Sequence, residues 1–183
     1  MSPRILKTRA EIYNKQENYK KAASDISATL ELDPYWFDGY IKLAAALFSA
    51  QQPQEAMQPV ELYLNLFPED TAARFLCGNI YYNAQKYLKA LECFNACLVQ
   101  NKAEPAYFLA RGKTYMQSST YKYAAKDFSM ALDLQPSAEG YLLKGLARQK
   151  LNEAEGACHD WRKAYQLGNK EAMGYILDNC QDQ

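Results

Sequence analysis

The chain has 183 residues, 49% of them hydrophobic, and its 21 Lys and Arg residues balance its 21 Asp and Glu residues. The lack of a basic surplus argues against nucleic-acid binding, because proteins that bind nucleic acids usually carry a positively charged surface. No stretch approaches the roughly 20 apolar residues that a membrane-spanning helix needs. Residues 1–20 are charged and lack a hydrophobic secretory core.

Two series of small residues recur along the chain at a fixed interval. The first has three equal steps and a last step that is one residue shorter, and it consists of Ala22, Ala56, Ala90, Ala124 and Ala157. The second keeps the same steps and consists of Ala10, Ala44, Gly78, Gly112 and Gly145. The period of about 34 residues is typical of helix–turn–helix solenoid repeats. The sequence therefore predicts five copies of one helical hairpin.

Each copy is predicted to consist of two amphipathic helices, because its apolar residues recur three and four apart. The approximate copies are 3–36, 37–70, 71–104, 105–137 and 138–170, and a capping helix is expected over 170–180. The residue missing from the last step is lost between Pro136 and Gly145. We therefore expect a tighter turn between the fourth and fifth copies.

The small residues are expected where the two helices of a copy cross, since a large side chain there would cost about 1–3 kcal/mol. Larger residues should fill the surrounding space at Ile26, Val60, Phe94, Phe128 and Trp161. In the fifth copy Arg148 replaces the Tyr or Leu of the other copies, so its packing should differ. Pro59 lies inside a predicted helix and indicates a kink or a late helix start.

The order of small residue, aromatic residue and alanine, closed by Pro34, Pro68 and Pro136, resembles the tetratricopeptide repeat over residues 3–169. The last copy, with Ala157 and Trp161, is similar to a terminal repeat of bacterial members. The resemblance implies an all-α fold, a right-handed superhelix of five helix pairs plus a C-terminal capping helix, in a single domain over 1–183. It also implies a non-catalytic scaffold that binds other proteins.

In this family the first helix of each copy lines a concave groove. The resemblance implies that the groove is formed by Ile41, Phe48, Phe75, Asn79, Tyr82, Asn83, Leu109, Lys113, Met116 and Leu142. These residues either anchor a ligand or pack the superhelix against itself, and both interpretations stay open. The expected partner is a peptide segment or a helix of another protein, whose backbone would hydrogen-bond to the asparagine amides.

One known binding mode of the family is not expected. Some tetratricopeptide domains clamp the acidic tail of heat-shock chaperones with Lys, Arg and Asn side chains. Lys7 matches this pattern, but Glu11, Lys42, Ala72 and Leu76 replace the remaining positions. The alternative function is a structural subunit that self-associates or packs within a secretion or envelope assembly, and we expect a monomer or a weak homo-oligomer.

Catalytic chemistry is not expected either. His159 and Cys158 are adjacent on a predicted helix and point in different directions, which argues against a catalytic dyad. The carboxylates Glu11, Asp25 and Asp127 are expected at scattered, solvated positions. We therefore expect no enzyme activity, no cofactor and no metal.

The chain has five cysteines, Cys77, Cys93, Cys97, Cys158 and Cys180. We expect small buried thiols in a reducing compartment. Cys93 and Cys97 lie one helical turn apart, but no second pair completes a metal site. A cytoplasmic location follows from this interpretation, with the periplasm as the alternative if a signal peptide or lipid anchor precedes the chain.

Overall fold

A computed structural model of the chain describes residues 1–180. Its helices are α1 (Pro3–Lys15), α2 (Tyr19–Leu32), α3 (Phe37–Ser49), α4 (Pro53–Leu66), α5 (Thr71–Asn83), α6 (Tyr87–Gln100), α7 (Pro105–Gln117), α8 (Tyr121–Leu134), α9 (Ala138–Lys150), α10 (Ala154–Gln166) and α11 (Ala172–Asn179). No strand occurs in this range. The all-α class and the succession of helix pairs with a final short helix are confirmed.

The helices pack as two compact units, whose boundary lies inside α6 between Cys93 and Phe94. In the first unit each helix from α1 to α4 packs on the next helix, and α3 also contacts α5. In the second unit each helix from α7 to α10 packs on the next helix, and α7 also contacts α9. Two pairs of first helices from successive hairpins, α3 with α5 and α7 with α9, therefore touch directly.

The turn between the fourth and fifth hairpins is shorter than its equivalents. Three residues connect α8 to α9, whereas four connect α2 to α3, α4 to α5 and α6 to α7. The residue missing from the last step of the repeat is therefore removed from this connection, and the expected tighter turn is confirmed.

Both series of small residues are buried throughout. A Cβ atom placed on Gly145 would lie 2.5 Å from the indole ring of Trp161, and one on Gly112 would lie 2.6 Å from the ring of Phe128. Non-bonded atoms do not approach a Cβ atom this closely, so these rings occupy the space that a side chain would need. The predicted large residues are at most 1% exposed: Ile26, Val60, Phe94, Phe128 and Trp161.

Each hairpin turn contains one residue in the left-handed backbone region. The φ angles lie between 56° and 61° at Glu17, Gln51, Gln85, Ser119 and Asn152. The steps between these residues follow those of the small residues, including the shorter last one. None of them is glycine, although a left-handed conformation costs other residues roughly 1–2 kcal/mol.

Two local expectations have different outcomes. The helix α4 begins at Pro53 and runs through Pro59, so a late start is wrong. Pro53 is accommodated at the helix start because its missing N–H has no intrahelical partner there. In the fifth hairpin the packing does differ, as expected, because Arg148 donates from Nη1 to Asp160 Oδ2 at 2.7 Å.

The helix α11 covers the side of α10 at the end of the second unit. Ala172 is buried, and the ring of Tyr175 stacks on Trp161 with 5.3 Å between the centroids. Met173 and Leu177 are exposed, although they share the three- and four-residue spacing of Ala172 and Ile176, which predicts one buried side of the capping helix. That part of the expectation is wrong because the short helix contacts α10 through its Ala172, Tyr175 and Ile176 side.

A disulfide joins Cys158 of α10 to Cys180, the residue that follows α11. The expectation of reduced thiols is therefore wrong for these two cysteines. They are 22 residues apart, and only the docking of α11 onto α10 brings them together.

Gly145→Ala should destabilise the fold by about 1–3 kcal/mol, because the new methyl group would displace the buried ring of Trp161. Gly174→Ala is the matched control, since a Cβ at Gly174 meets no atom within 4 Å and alanine favours the helix by roughly 0.5–1 kcal/mol. Urea unfolding measures both changes. Equal stability of the two variants would contradict the packing described here.

Gln51→Gly should raise the free energy of unfolding by up to about 1 kcal/mol, because glycine adopts a positive φ without the steric penalty of glutamine. Asn152→Gly should give a smaller gain, since asparagine tolerates this conformation better than glutamine does. Thermal unfolding of the two variants provides the comparison. A lower stability of Gln51→Gly would show that the turn does not need the left-handed conformation.

Candidate partner-binding surface

In the first unit, the predicted groove residues lie on α3 and α5, the two first helices that contact each other. Five of them are partly buried and Asn83 is exposed. We call this set the α3–α5 face, and it comprises Ile41, Phe48, Phe75, Asn79, Tyr82 and Asn83. It combines large apolar side chains with two amides, which can anchor and orient an extended polypeptide.

An open cavity of about 350 Å³ lies where the end of α3, the turn into α4 and the end of α5 meet. It is lined by Phe48, Gln51, Pro53 and Asn83. Two predicted groove residues, Phe48 and Asn83, thus line the same cavity although they belong to successive hairpins. Its volume falls within the range of small-ligand pockets, about 300–1,000 Å³.

The polar and aromatic groups of α5 are partly engaged within the first unit. Asn83 donates from Nδ2 to the backbone oxygen of Asn79 at 2.9 Å. This bond orients the Asn83 amide and leaves its Oδ1 as an acceptor for a ligand. The rings of Tyr82 and Tyr87 lie 6.0 Å apart between centroids, so Tyr82 is held by an aromatic neighbour from α6.

In the second unit the predicted groove residues have more internal contacts. Leu109 and Met116 pack against the cluster around Phe128. Lys113 donates from Nζ to Glu139 Oε1 at 2.6 Å, which links α7 to α9. Leu142 is 7% exposed and belongs to the core cluster around Trp161. This unit therefore presents less apolar surface at the predicted positions than the first unit does.

A second cavity, of about 480 Å³, lies in the second unit between the end of α6, α7 and α8. Its lining includes apolar side chains and the cations of Lys102, Arg111 and Lys126. This cavity was not predicted from the sequence, because the family resemblance places the binding groove on the first helices. The feature that could have indicated this cavity is the pair of exposed apolar residues Tyr123 and Met130 on α8.

Asp25 and Asp127, which were expected at solvated positions, are buried. Arg9 makes two hydrogen bonds to Asp25, at 2.6 and 2.7 Å. Arg111 makes two to Asp127, both at 2.7 Å. That part of the expectation is wrong because each aspartate lies opposite an arginine of the same hairpin. The signal was present in the sequence, since 16 residues separate the partners in both pairs.

Burial and ion pairing shift the pKa values of Arg111 and Asp160. The hydrogen bonds from Arg111 to Asp127 raise the pKa of the guanidinium, which stays charged at every physiological pH. Burial raises the pKa of Asp160 above its ordinary value, while Lys144 and Arg148 oppose the shift. These groups join the two helices of a hairpin, and none of them belongs to the α3–α5 face.

Within residues 1–180, no group of three or more His, Cys, Asp and Glu side chains is arranged to hold a metal ion. His159 is exposed, and its neighbour Cys158 is bonded to Cys180. Over the same range, every helix is too short or too polar to cross a bilayer.

Comparison with solved structures identifies the fold. The structure of MamA from Desulfovibrio magneticus RS-1 superposes with a TM-score of 0.84 at 15% identity, covering 90% of this chain and 94% of that one. YrrB, whose crystal structure is described as that of a tetratricopeptide repeat protein with an unusual peptide-binding site, superposes with a TM-score of 0.79 at 15% identity. That match covers 94% of this chain and 90% of YrrB. The chain therefore has the fold of tetratricopeptide repeat proteins.

Sequence comparison finds distant relatives that are named as tetratricopeptide repeat proteins. No known family profile matches the chain. Tetratricopeptide repeat protein 16 of Mus musculus is 24% identical over 163 residues, which is 87% of this chain but 18% of that protein. The same protein of Macaca fascicularis is 26% identical over 167 residues. The chain thus spans about a fifth of the length of these curated relatives.

Asp127→Ala should destabilise the tetratricopeptide fold by about 3 kcal/mol, because it leaves the partly buried guanidinium of Arg111 without its carboxylate. Glu139→Ala removes the exposed partner of Lys113 and should cost less than about 1 kcal/mol. Denaturant unfolding of both variants tests the difference. Similar losses for the two would mean that burial does not distinguish these ion pairs.

Proposed function

We propose that the chain is a non-catalytic scaffold, a single domain over residues 1–183, that binds a peptide segment or a helix of a partner protein through the α3–α5 face. The observation that carries this proposal is the open cavity of about 350 Å³ that brings Phe48 and Asn83 together. An apolar wall and an oriented amide at one cavity offer a ligand both a hydrophobic anchor and a backbone hydrogen bond.

The composition of the face favours an uncharged, partly apolar ligand segment. Its six residues include three aromatic side chains and one isoleucine, and none of them is charged. Aromatic side chains dominate the binding energy at protein interfaces because they bury a large apolar area with little loss of conformational freedom. Asn79 and the free Oδ1 of Asn83 supply donor and acceptor groups for the ligand backbone. The fold similarity to YrrB, a tetratricopeptide protein with a peptide-binding site, supports the same assignment.

The other predicted groove residues, Leu109, Lys113, Met116 and Leu142, enter the proposal as a weaker second set. Lys113 is neutralised by Glu139, and Leu142 is buried. We therefore expect the first unit to contribute most of the binding energy. No acidic chaperone tail is proposed as the ligand, because the residues of the carboxylate clamp are replaced.

The disulfide between Cys158 and Cys180 is relevant to the cellular compartment in which the chain acts. Disulfides persist in oxidising compartments such as the periplasm and are rare in the cytosol. Of the two locations expected from the sequence, it favours the periplasm, and we propose that compartment as the place where the scaffold acts.

Phe48→Ala should weaken binding of a peptide selected from a displayed random library by at least roughly tenfold, because the ring forms the apolar wall of the cavity. Leu88→Ala is the matched control, since Leu88 is an exposed apolar residue on the second helix α6 and should leave the dissociation constant unchanged. Fluorescence anisotropy with a labelled peptide gives both values.

Two results would contradict the proposed function. The first is a selected peptide that binds the wild type and Phe48→Ala with equal affinity. The second is a chain that enriches no peptide and forms a defined oligomer in light scattering, which would favour the alternative of a self-associating structural subunit.

A further inference from the structure

Two cysteines of the first unit lie in contact inside the third hairpin. The Sγ atoms of Cys77 on α5 and Cys93 on α6 are 3.4 Å apart. Cys77 is 3% exposed and Cys93 is 8% exposed. Neither cysteine belongs to the α3–α5 face or lines the cavity of Phe48 and Asn83.

The same two positions face each other in other hairpins. Cys77 and Cys93 are 16 residues apart, and the same separation also links oppositely charged side chains in the first, fourth and fifth hairpins. Those pairs, with N–O distances of 2.6, 2.7 and 3.8 Å, are Arg9–Asp25, Arg111–Asp127 and Lys144–Asp160. The fold thus brings the two positions into contact repeatedly, and the third hairpin carries a thiol at each of them.

We propose that Cys77 and Cys93 are a redox-reactive pair that forms a disulfide and cross-links α5 to α6 when a peroxide oxidises the folded chain. The sulfur atoms need to approach by only about 1.4 Å to reach the S–S bond length of about 2.05 Å. This displacement is small for two helices whose side chains already touch.

The reaction balances with hydrogen peroxide as the oxidant. The Cys93 thiolate attacks one peroxide oxygen, the O–O bond breaks, and the products are a sulfenic acid on Cys93 and hydroxide. The Cys77 sulfur then attacks the Cys93 sulfur and displaces its hydroxyl group. That group leaves as water with the proton of the Cys77 thiol. Hydrogen peroxide is a small oxidant, and Cys93 is the more exposed cysteine of the pair, at 8% against 3% for Cys77.

The surroundings of the pair support this division of roles. The hydrogen bond between Cys93 and Cys77 lowers the pKa of Cys93, and the nearby cations of Arg74 and Lys89 act in the same direction against the opposing effect of burial. The same pairing, together with burial, raises the pKa of Cys77. Cys93 is therefore the thiol that ionises first and attacks the peroxide, because the thiolate is the nucleophile.

The chain already contains one disulfide, between Cys158 and Cys180. An environment that maintains that bond also provides the conditions under which the Cys77–Cys93 pair is oxidised. A cross-link between α5 and α6 would fix the helix that carries Phe75, Asn79, Tyr82 and Asn83.

The test uses the wild-type chain of 183 residues, reduced and then treated with stoichiometric hydrogen peroxide while folded. Remaining thiols are alkylated in denaturant, and the chain is digested with trypsin and chymotrypsin without reductant. Chymotrypsin cleaves after Phe94 and so separates Cys93 from Cys97. We expect a linked peptide pair containing Cys77 and Cys93, lighter by two hydrogen atoms than the sum of the reduced peptides.

The disulfide between Cys158 and Cys180 is the internal control for oxidation. Alkylated Cys77 and Cys93 in a sample where that control bond has formed would overturn the proposal, and so would a link from either cysteine to Cys97. Cys77→Ser provides a second readout, because Cys93 sulfenic acid should then persist and react with dimedone. Equal dimedone labelling of Cys93 in the wild type and in Cys77→Ser would contradict the role of Cys77.

Discussion

The fold depends on a matching of side-chain sizes between two positions, one on each helix of a hairpin. Where the first helix carries alanine, at Ala10 and Ala44, the residue 16 positions later is aliphatic, at Ile26 and Val60. Where the first helix carries glycine, the residue 16 positions later is aromatic: Phe94, Phe128 and Trp161. Each gain in volume on the second helix accompanies a loss on the first. Close packing of protein interiors requires this balance, since a change of one methylene group is already felt.

The same separation of 16 residues explains the polar contacts inside the hairpins. One position earlier on each helix, the facing residues are an ion pair in three hairpins and a pair of cysteines in the third. A buried carboxylate is tolerated there because its partner reaches it from the opposite helix. The backbone thus sets which side chains meet, and the chain varies the chemistry at that contact from one hairpin to the next.

Much of this architecture was predictable from spacing alone. The two series of small residues predicted the number of hairpins, and their shortened last step predicted the short connection before α9. Features that depend on distance across the fold were not predictable in the same way. The bond between Cys158 and Cys180 requires α11 to dock in one orientation, and the burial of Asp127 becomes evident only when Arg111 is placed opposite it. The candidate binding residues were predictable in part. Their positions in the repeat identified them, but only the structure shows that Phe48 and Asn83 share a cavity.

The small residues at helix crossings are a packing requirement, and replacing one of them with a large residue provides the decisive experiment. Ala56 is completely buried in α4, whereas Ala72 is exposed on α5. We predict that Ala56→Leu lowers the free energy of unfolding by about 1–3 kcal/mol, while Ala72→Leu leaves it within about 0.5 kcal/mol. If the two variants unfold at the same denaturant concentration as the wild type, the helices do not need small residues where they cross, and the account is contradicted.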